Sequence, residues 1–371
     1  MKIPPFLLER YFAGHEFNVR WLLCASDCQS VSIGELLSLE PGAEERFLRQ
    51  RLGYTESAGS PALRQAIAGL YTATGAEQVL VHSGAEEAIF LFMHAALEAG
   101  DHLVVQTPCY QSLAEVARSI GCIVDPWPLR EAEGWAPDPE ELRRLIGRRT
   151  RAVVINSPHN PTGFHLAPAL FREVVRLAEE RNVLLFSDEV YREAEYREAD
   201  RLPAACDRSE ACVSLGVMSK SYGLPGLRIG WLATRNARLL QAVAALKDYT
   251  TICGPAPSEF LAELALRHRQ ALLRRNLELI RCNLQVLEAF FARHTQRFAW
   301  LRPLAGPVAF PRLLGAEVEG FCDRLRERSG VLLVPGSVFG DRDNHFRIGF
   351  GRADCPEAVA RLEEGLEEAL R

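Results

Sequence analysis

Between residues 78 and 234 short apolar runs alternate with longer stretches of helical period. The runs 78–83 (QVLVHS), 102–107 (HLVVQT), 151–157 (RAVVINS), 183–190 (VLLFSDEV), 212–217 (CVSLGV) and 228–234 (RIGWLAT) are nearly continuous in Val, Leu and Ile. A half-solvated strand alternates apolar and polar residues, so these runs predict strands covered on both faces. The segment 122–129 (CIVDPWPL) reads as extended. Between the runs, 84–100, 110–121, 137–146 and 167–182 place apolar residues three and four apart and predict helices, the third opening on a proline-rich, acidic N-terminus. Strands that alternate with helices imply a mainly parallel sheet, and on such sheets ligands bind at the carboxyl ends of the strands.

Past residue 236 the pattern changes. Two long helical stretches, 236–251 and 258–294, precede a mixed segment in which GPVAFPRL, VLLVPGSVFG and HFRIGFG read as strands of a smaller sheet. A last helix covers CPEAVARLEEGLEEALR. The first 45 residues lack the strand-helix alternation and are expected to pack with this C-terminal part. The expected division is therefore a large domain over 46–255 and a small α+β domain made of 1–45 and 256–371.

The chain has 371 residues, 48% hydrophobic and 25% charged, with a net charge of −5, which fits a globular enzyme and argues against a nucleic-acid partner. Its arginine clusters, such as RRLIGRRTR and RHRQALLRR, sit at helix-face spacing. No apolar stretch is long enough for a membrane span, and Glu9 interrupts the short apolar run at the N-terminus, which therefore does not read as a signal peptide. Ten cysteines are scattered without a CxxC pair and without histidines at ligand spacing. They read as buried thiols of a cytoplasmic protein, and no metal site is expected.

Unusual residues gather where the strands end. Ser83, Gly84 and Ala85 follow a strand and open a helix, where free backbone N–H groups can take an anion or Ser83 can simply cap. In NSPHNPTG, Asn160 is held between His159 and Pro161, so its amide can face a ligand or close a turn. Asp188 ends a highly apolar strand, where a carboxylate is costly unless it finds a cation or caps a helix. Lys220 and Arg228 lie eight apart in SKSYGLPGLRIG. A lysine among small residues can approach a flat ligand, and an arginine fork suits a phosphate.

In this order, SGAEEA, TPCY, NSPHNPTG, SDEVY, SKSYGLPGLRIG and HFRIGFG resemble the motifs of the class I/II aminotransferases, pyridoxal-phosphate enzymes of the aspartate-aminotransferase fold. The resemblance covers about residues 50 to 371. Within the family, ERYF, GELLSL, WPLREAEGWAPD, KSYGLPGLR and VLLVPGSVFG look closest to members of the capreomycidine-synthase type. The resemblance implies fold type I, a large domain with a mainly parallel seven-stranded sheet plus a smaller α+β domain. It implies that Lys220 forms the Schiff base with pyridoxal 5′-phosphate and moves the substrate α-proton. Asp188 would pair with the ring nitrogen, Asn160 and Tyr191 with the ring hydroxyl, and Tyr110 would stack on the ring. Ser83, Gly84, Ala85, Glu86, Ser219 and Arg228 would hold the phosphate, and Tyr54 would reach the phosphate of a neighbouring subunit in a homodimer. Arg347 would bind the substrate carboxylate, with Asn160 beside it.

Two departures from the family pattern stand out. Val217 occupies a position three before the lysine where the family has a hydroxyl, which implies weaker phosphate retention. ASDCQSVSIGELLSLEPG lacks the usual glycine-containing substrate loop, which leaves the choice of amino acid open. The main expectation is an aminotransferase acting on an α-amino acid. The alternative is elimination and cyclisation of an arginine-derived amino acid, with Asp27, Glu35 and Glu56 as candidate partners of a guanidinium. An effector-sensing regulator on this fold is disfavoured, because no helix-turn-helix pattern precedes the first motif.

Overall fold

The computed structural model describes residues 2–371. Its centre is a seven-stranded sheet built from β1 (Val79–Ser83), β2 (His102–Thr107), β3 (Ile123–Pro128), β4 (Thr150–Asn156), β5 (Leu184–Asp188), β6 (Cys212–Val217) and β7 (Ile229–Ala233), in the order β1-β7-β6-β5-β4-β2-β3. The β3, β2, β4, β5 and β6 neighbours pair in parallel, whereas β7 runs antiparallel to both β6 and β1. The link from β6 to β7 holds only a 3₁₀ turn, and a parallel return would need a crossover of a dozen residues or more.

The continuous apolar runs now have a reason. Val104, Val153, Ile155 and Leu185 face one layer with Phe171, Val174 and Leu177 of the helix Pro168–Arg181. Their strand neighbours Leu103, Val105, Ala152, Val154 and Phe186 face the other layer, with Phe92, Leu113, Val116 and Val243. Each fully buried side chain of this size contributes about 1.5–3 kcal/mol. A strand covered on both faces has no solvated side on which to place polar residues until it ends.

The smaller sheet is a three-stranded antiparallel unit in which Phe346–Gly349 is central, flanked by Val334–Pro335 and Val308–Ala309. The helices Arg269–Arg293, Val318–Ser329 and Cys355–Ala369 cover it through Ile280, Leu284, Phe321, Leu325 and Leu362. The helical stretch expected over 258–294 is two helices, Ala256–Arg267 and Arg269–Arg293, broken at His268.

The N-terminal segment joins both regions. Trp21 bridges Val331, and Leu23 enters the core of the small sheet. Leu36 and Leu37, with Leu261 and Leu264 of Ala256–Arg267, instead pack on Val79, Val81 and Ile229 at the β1/β7 end of the large sheet. Packing thus crosses the boundaries expected at 45/46 and 255/256. No helix among the described residues is long and apolar enough to cross a membrane.

Candidate active site

The carboxyl ends of β4, β5 and β6 open on one cleft between the two sheets. Asp188 is the last residue of β5 and is buried, accepting at Oδ1 from the Val190 N–H at 3.1 Å. No cation stands within ion-pair distance of it among the described residues, so burial pushes its carboxyl up to about 7. Lys220 lies in the turn after β6. Its pKa is lowered, first by burial and further by Arg347, while Asp27 and Asp188 oppose the shift. A larger neutral fraction of the amine is what a nucleophilic lysine needs.

At the end of β1 the chain turns into the helix Gly84–Ala96, whose first N–H groups have no carbonyl partner within the helix. Gly84 has φ +76°, and a Cβ there would stand 2.4 Å from Nη2 of Arg228. A Cβ on Gly230 would stand 2.6 Å from the carbonyl carbon of Gly84. The two glycines therefore let β7 and the helix start close together, with the Arg228 guanidinium against the turn. Arg228 does not sit on the strand as expected. It precedes β7 with φ +53° and donates to the Pro225 carbonyl at 3.2 Å. Ser219 is buried nearby in sequence, between Met218 and Lys220. Val217, the last residue of β6, is buried.

Ser83 spends its backbone N–H on Glu87 Oε2 at 2.6 Å and makes no side-chain cap. Glu86 turns away from the helix start. Its carboxylate accepts from Ser112 Oγ at 3.1 Å and stands near Tyr110, and burial pushes it up to about 7. The Tyr110 ring rests against Phe6, with centroids 5.0 Å apart. His159 is buried, bonded through Nδ1 to Thr162 Oγ1 at 2.8 Å, and burial lowers its pKa to about 3, so it stays neutral.

Arg347 is 0% exposed and faces no carboxylate. Its Nη1 donates to Asn160 Oδ1 at 3.1 Å and its Nη2 to the Cys24 carbonyl at 2.9 Å, while Nε has no partner. The Phe12 and Phe339 rings lie 5.9 and 5.2 Å from its Cζ. Burial holds its pKa below the usual value. With the Asn160 N–H on Asn156 Oδ1 at 2.7 Å and Oδ1 on Arg347, the amide Nδ2 is the free end of Asn160.

The cleft thus brings together Asp188, Lys220, Asn160, Tyr191 and Arg347, with Gly84 and Arg228 at its β1 side and Tyr110 beside Glu86. Tyr54 is not part of it within one chain: it is 94% exposed. Sequence reasoning named Asp27 but missed Cys24 and Ser26. The Cys24 carbonyl holds Arg347, the Ser26 carbonyl accepts from the Tyr191 hydroxyl at 2.9 Å, and Ser26 Oγ accepts from Lys220 Nζ at 2.8 Å. The signal was Gly349, which ends the strand of Arg347, and Gly351 just beyond it, where a Cβ would meet the Ala25 and Asp27 carbonyl oxygens at 1.8 and 2.3 Å.

Residues 42–362 match the model of the family described as aminotransferase class I and II. The chain belongs to the class I and II aminotransferase family. It is 33% identical to the capreomycidine synthase of Streptomyces vinaceus over 369 residues, covering 98% of this chain and 92% of that protein. Among solved structures, it superposes with a TM-score of 0.93 on a PLP-dependent aminotransferase from Streptococcus suis, at 33% identity over 100% of this chain and 98% of the other. The PLP-dependent cyclase OrfR gives a TM-score of 0.91 at 32% identity over 99% and 98%. The protein is a pyridoxal-phosphate-dependent enzyme of fold type I, and pyridoxal 5′-phosphate is its cofactor.

The residues present fit that group. A glycine-lined helix start with an arginine against it suits a phosphate, and a buried carboxyl without a cation suits a protonated ring nitrogen. A lysine with a lowered pKa lies in the same cleft. Each Asp27 oxygen accepts from Arg352 at 3.1 Å, so a substrate guanidinium would have to share that carboxylate. Glu35 closes a capping box with Ser32, and Glu56 is exposed.

Proposed function

We propose that the enzyme binds an α-amino acid by its carboxylate at Arg347 and withdraws the α-proton with Lys220, in an amino-group transfer. The observation that supports this most is the buried, unpaired Arg347 guanidinium, whose planar fork matches one carboxylate. When bound, pyridoxal phosphate supplies the aldehyde that joins the amino group and the ring that takes up the electron pair released at Cα.

The residues then divide the work. Lys220 would hold the cofactor covalently and carry the substrate α-proton at Nζ. Asp188 would keep the ring nitrogen protonated. Asn160 Nδ2 and Tyr191 would hydrogen-bond the ring hydroxyl, and Tyr110 would stack on the ring. Ser83, Gly84, Ala85, Glu86, Ser219 and Arg228 form the phosphate cradle, Glu86 through its backbone only, since its carboxylate is turned to Ser112 and Tyr110. Asn160 Oδ1 also orients the Arg347 fork toward the substrate.

We also infer a homodimer in which Tyr54 crosses to the partner's phosphate cradle. Support comes from the exposed apolar side chains Leu48, Leu52, Tyr54, Tyr249 and Ile252. A cytoplasmic setting agrees with ten free cysteines, most of them buried.

A second reading, loss of a β-substituent followed by ring closure, is favoured by the similarity over nearly the whole chain to a capreomycidine synthase and a cyclase. Both reactions begin with the same proton transfer at Lys220. The visible spectrum of the holoenzyme separates them when single amino acids and β-hydroxylated arginine are added. Conversion of the yellow cofactor to its colourless amino form, with a 2-oxo acid released, supports transfer. Return of the yellow form with a cyclic amino acid released supports ring closure. An unchanged spectrum with every α-amino acid overturns both.

A further inference from the structure

We propose that Ser26 is a positioning residue for Lys220, holding its amine in the orientation that the proton transfer needs. The proposal rests on the reading of Lys220 given above. Lys220 Nζ donates to Ser26 Oγ at 2.8 Å, and that hydroxyl is its one hydrogen-bond partner among the described residues. A four-carbon side chain carries large rotamer freedom, and a single fixed acceptor removes much of it.

Ser26 is itself held with unusual firmness for a residue of a connecting segment. Its carbonyl accepts from the buried Tyr191 hydroxyl at 2.9 Å. On one side of it, Gly349 N–H donates to Leu23 O at 3.2 Å and Arg347 to Cys24 O. On the other, Gln29 N–H donates to Gly351 O at 2.8 Å and Asp27 is clamped by Arg352. The strand that carries Arg347 ends on Gly349 and is followed by Gly351, and both glycines lie against this segment, so the backbones touch directly. One stretch of chain therefore fixes the carboxylate-binding arginine through Cys24 and the lysine through Ser26. Their relative placement sets where the α-proton lies with respect to the amine, and small errors there are costly.

The hydroxyl has a second consequence. As an acceptor for Nζ–H it favours the ammonium form, against the burial that favours the neutral amine. Removing it lowers the Lys220 pKa further, so Ser26→Ala makes the amine more available while aiming it worse. A general loss of structure would impair both properties together.

The test uses the full chain freed of cofactor, with pyridoxal phosphate alone as the probe. The rate at which visible absorption of the covalently held cofactor develops is followed against pH, and turnover is measured on the holoenzyme with its best amino acid. For Ser26→Ala the pH midpoint of attachment falls by about one unit, the scale of one hydrogen bond to a charged donor. In the same variant kcat falls about tenfold or more with KM within about twofold, and the isotope effect of an α-deuterated substrate rises as proton transfer limits the rate. Ser26→Thr, which keeps the hydroxyl, restores the midpoint. An unchanged midpoint together with unchanged kcat overturns the proposal, as does a fall in both attachment and turnover that Ser26→Thr does not relieve. If the parent attaches no cofactor, or Lys220→Ala attaches it equally, the reading of Lys220 itself fails and Ser26 is not at fault.

Discussion

Arg347→Met separates binding from folding more sharply than any other change at the site. The parent side chain is a buried cation with no anion partner, a costly arrangement in a folded protein. Methionine has similar reach and an apolar body, and the Phe12 and Phe339 rings beside Cζ offer it apolar contacts. Replacing a buried ionic group by packed hydrocarbon returns about 1–4 kcal/mol. Against this, Asn160 Oδ1 and the Cys24 carbonyl lose their donors, at about 1–3 kcal/mol each. At mid-range the losses exceed the gain by only about 1–2 kcal/mol, so the melting temperature in the absence of substrate falls by no more than about 4 °C. Binding behaves differently. Two charge-assisted hydrogen bonds to the carboxylate are lost, at about 1.5–3 kcal/mol each, which lowers kcat/KM by roughly 10²- to 10⁴-fold. Arg347→Lys keeps the charge but not the fork and falls in between. Steady-state kinetics and calorimetric melting on the same samples make the comparison. A kcat/KM within tenfold of the parent refutes the assignment of Arg347 as the carboxylate anchor. A melting temperature lowered by ten degrees or more refutes the claim that its charge is there for the ligand rather than for the fold.

Three further outcomes follow from the same geometry. Lys220→Ala abolishes turnover and leaves pyridoxal phosphate bound without a covalent link, seen by its release on denaturation without prior chemical cleavage. Asp188→Asn changes how the cofactor-free protein responds to pH: the parent carboxyl titrates near 7 when folded and near 3.8 when unfolded, so between those values the folded state holds the extra proton and stability falls as pH rises. The full difference is about three pH units, roughly 4 kcal/mol; melting from pH 4 to 8 loses that slope in the variant, although Glu86, also raised to about 7, keeps its own. Gly349→Ala drives a Cβ to 1.8 Å from the Ala25 carbonyl oxygen, with only backbone atoms near enough to yield, so melting drops by about 1–3 kcal/mol and turnover by tenfold or more; Gly147→Ala, with nothing within 4 Å, serves as the tolerated control.

The large sheet was legible because six of its seven strands are long enough to show a continuous apolar run and are covered on both faces; the edge strand β3, IVDPWP, shows only as extended. The site residues at its edge were legible for a related reason: a polar residue ending such a run stands out, as Asp188 does after LLFS, and Asn160 stands three residues past the end of VVINS, held between His159 and Pro161. The small sheet was harder. Its strands are two to four residues long, too short for a period to declare itself, although the runs expected there do contain them. Where helices end was also only partly visible, since nothing in the apolar spacing of 258–294 marks the break at His268.

What stayed hidden is the part of the site made by backbone. Cys24 contributes a carbonyl, which any residue would supply, and Ser26 is one serine among several in a segment without period. Side-chain chemistry cannot single out such positions. Steric necessity can, from the other side of the contact: a chain that places glycine at the end of a strand and again two residues on has given up packing there, and something must come close enough to need the room. In HFRIGFG the glycines follow Arg347 by two and four residues, and they face the stretch that grips the arginine and the lysine at once. Since the proposed reaction requires the substrate carboxylate and the proton-accepting amine to be placed relative to each other, the connecting segment is as much a part of the catalytic geometry as the strands are. Exchanging 24–27 for the corresponding segment of a relative that catalyses a different reaction on the same cofactor is therefore expected to change the proportion of transfer to ring closure, while changes confined to the sheet ends alter the rate of both.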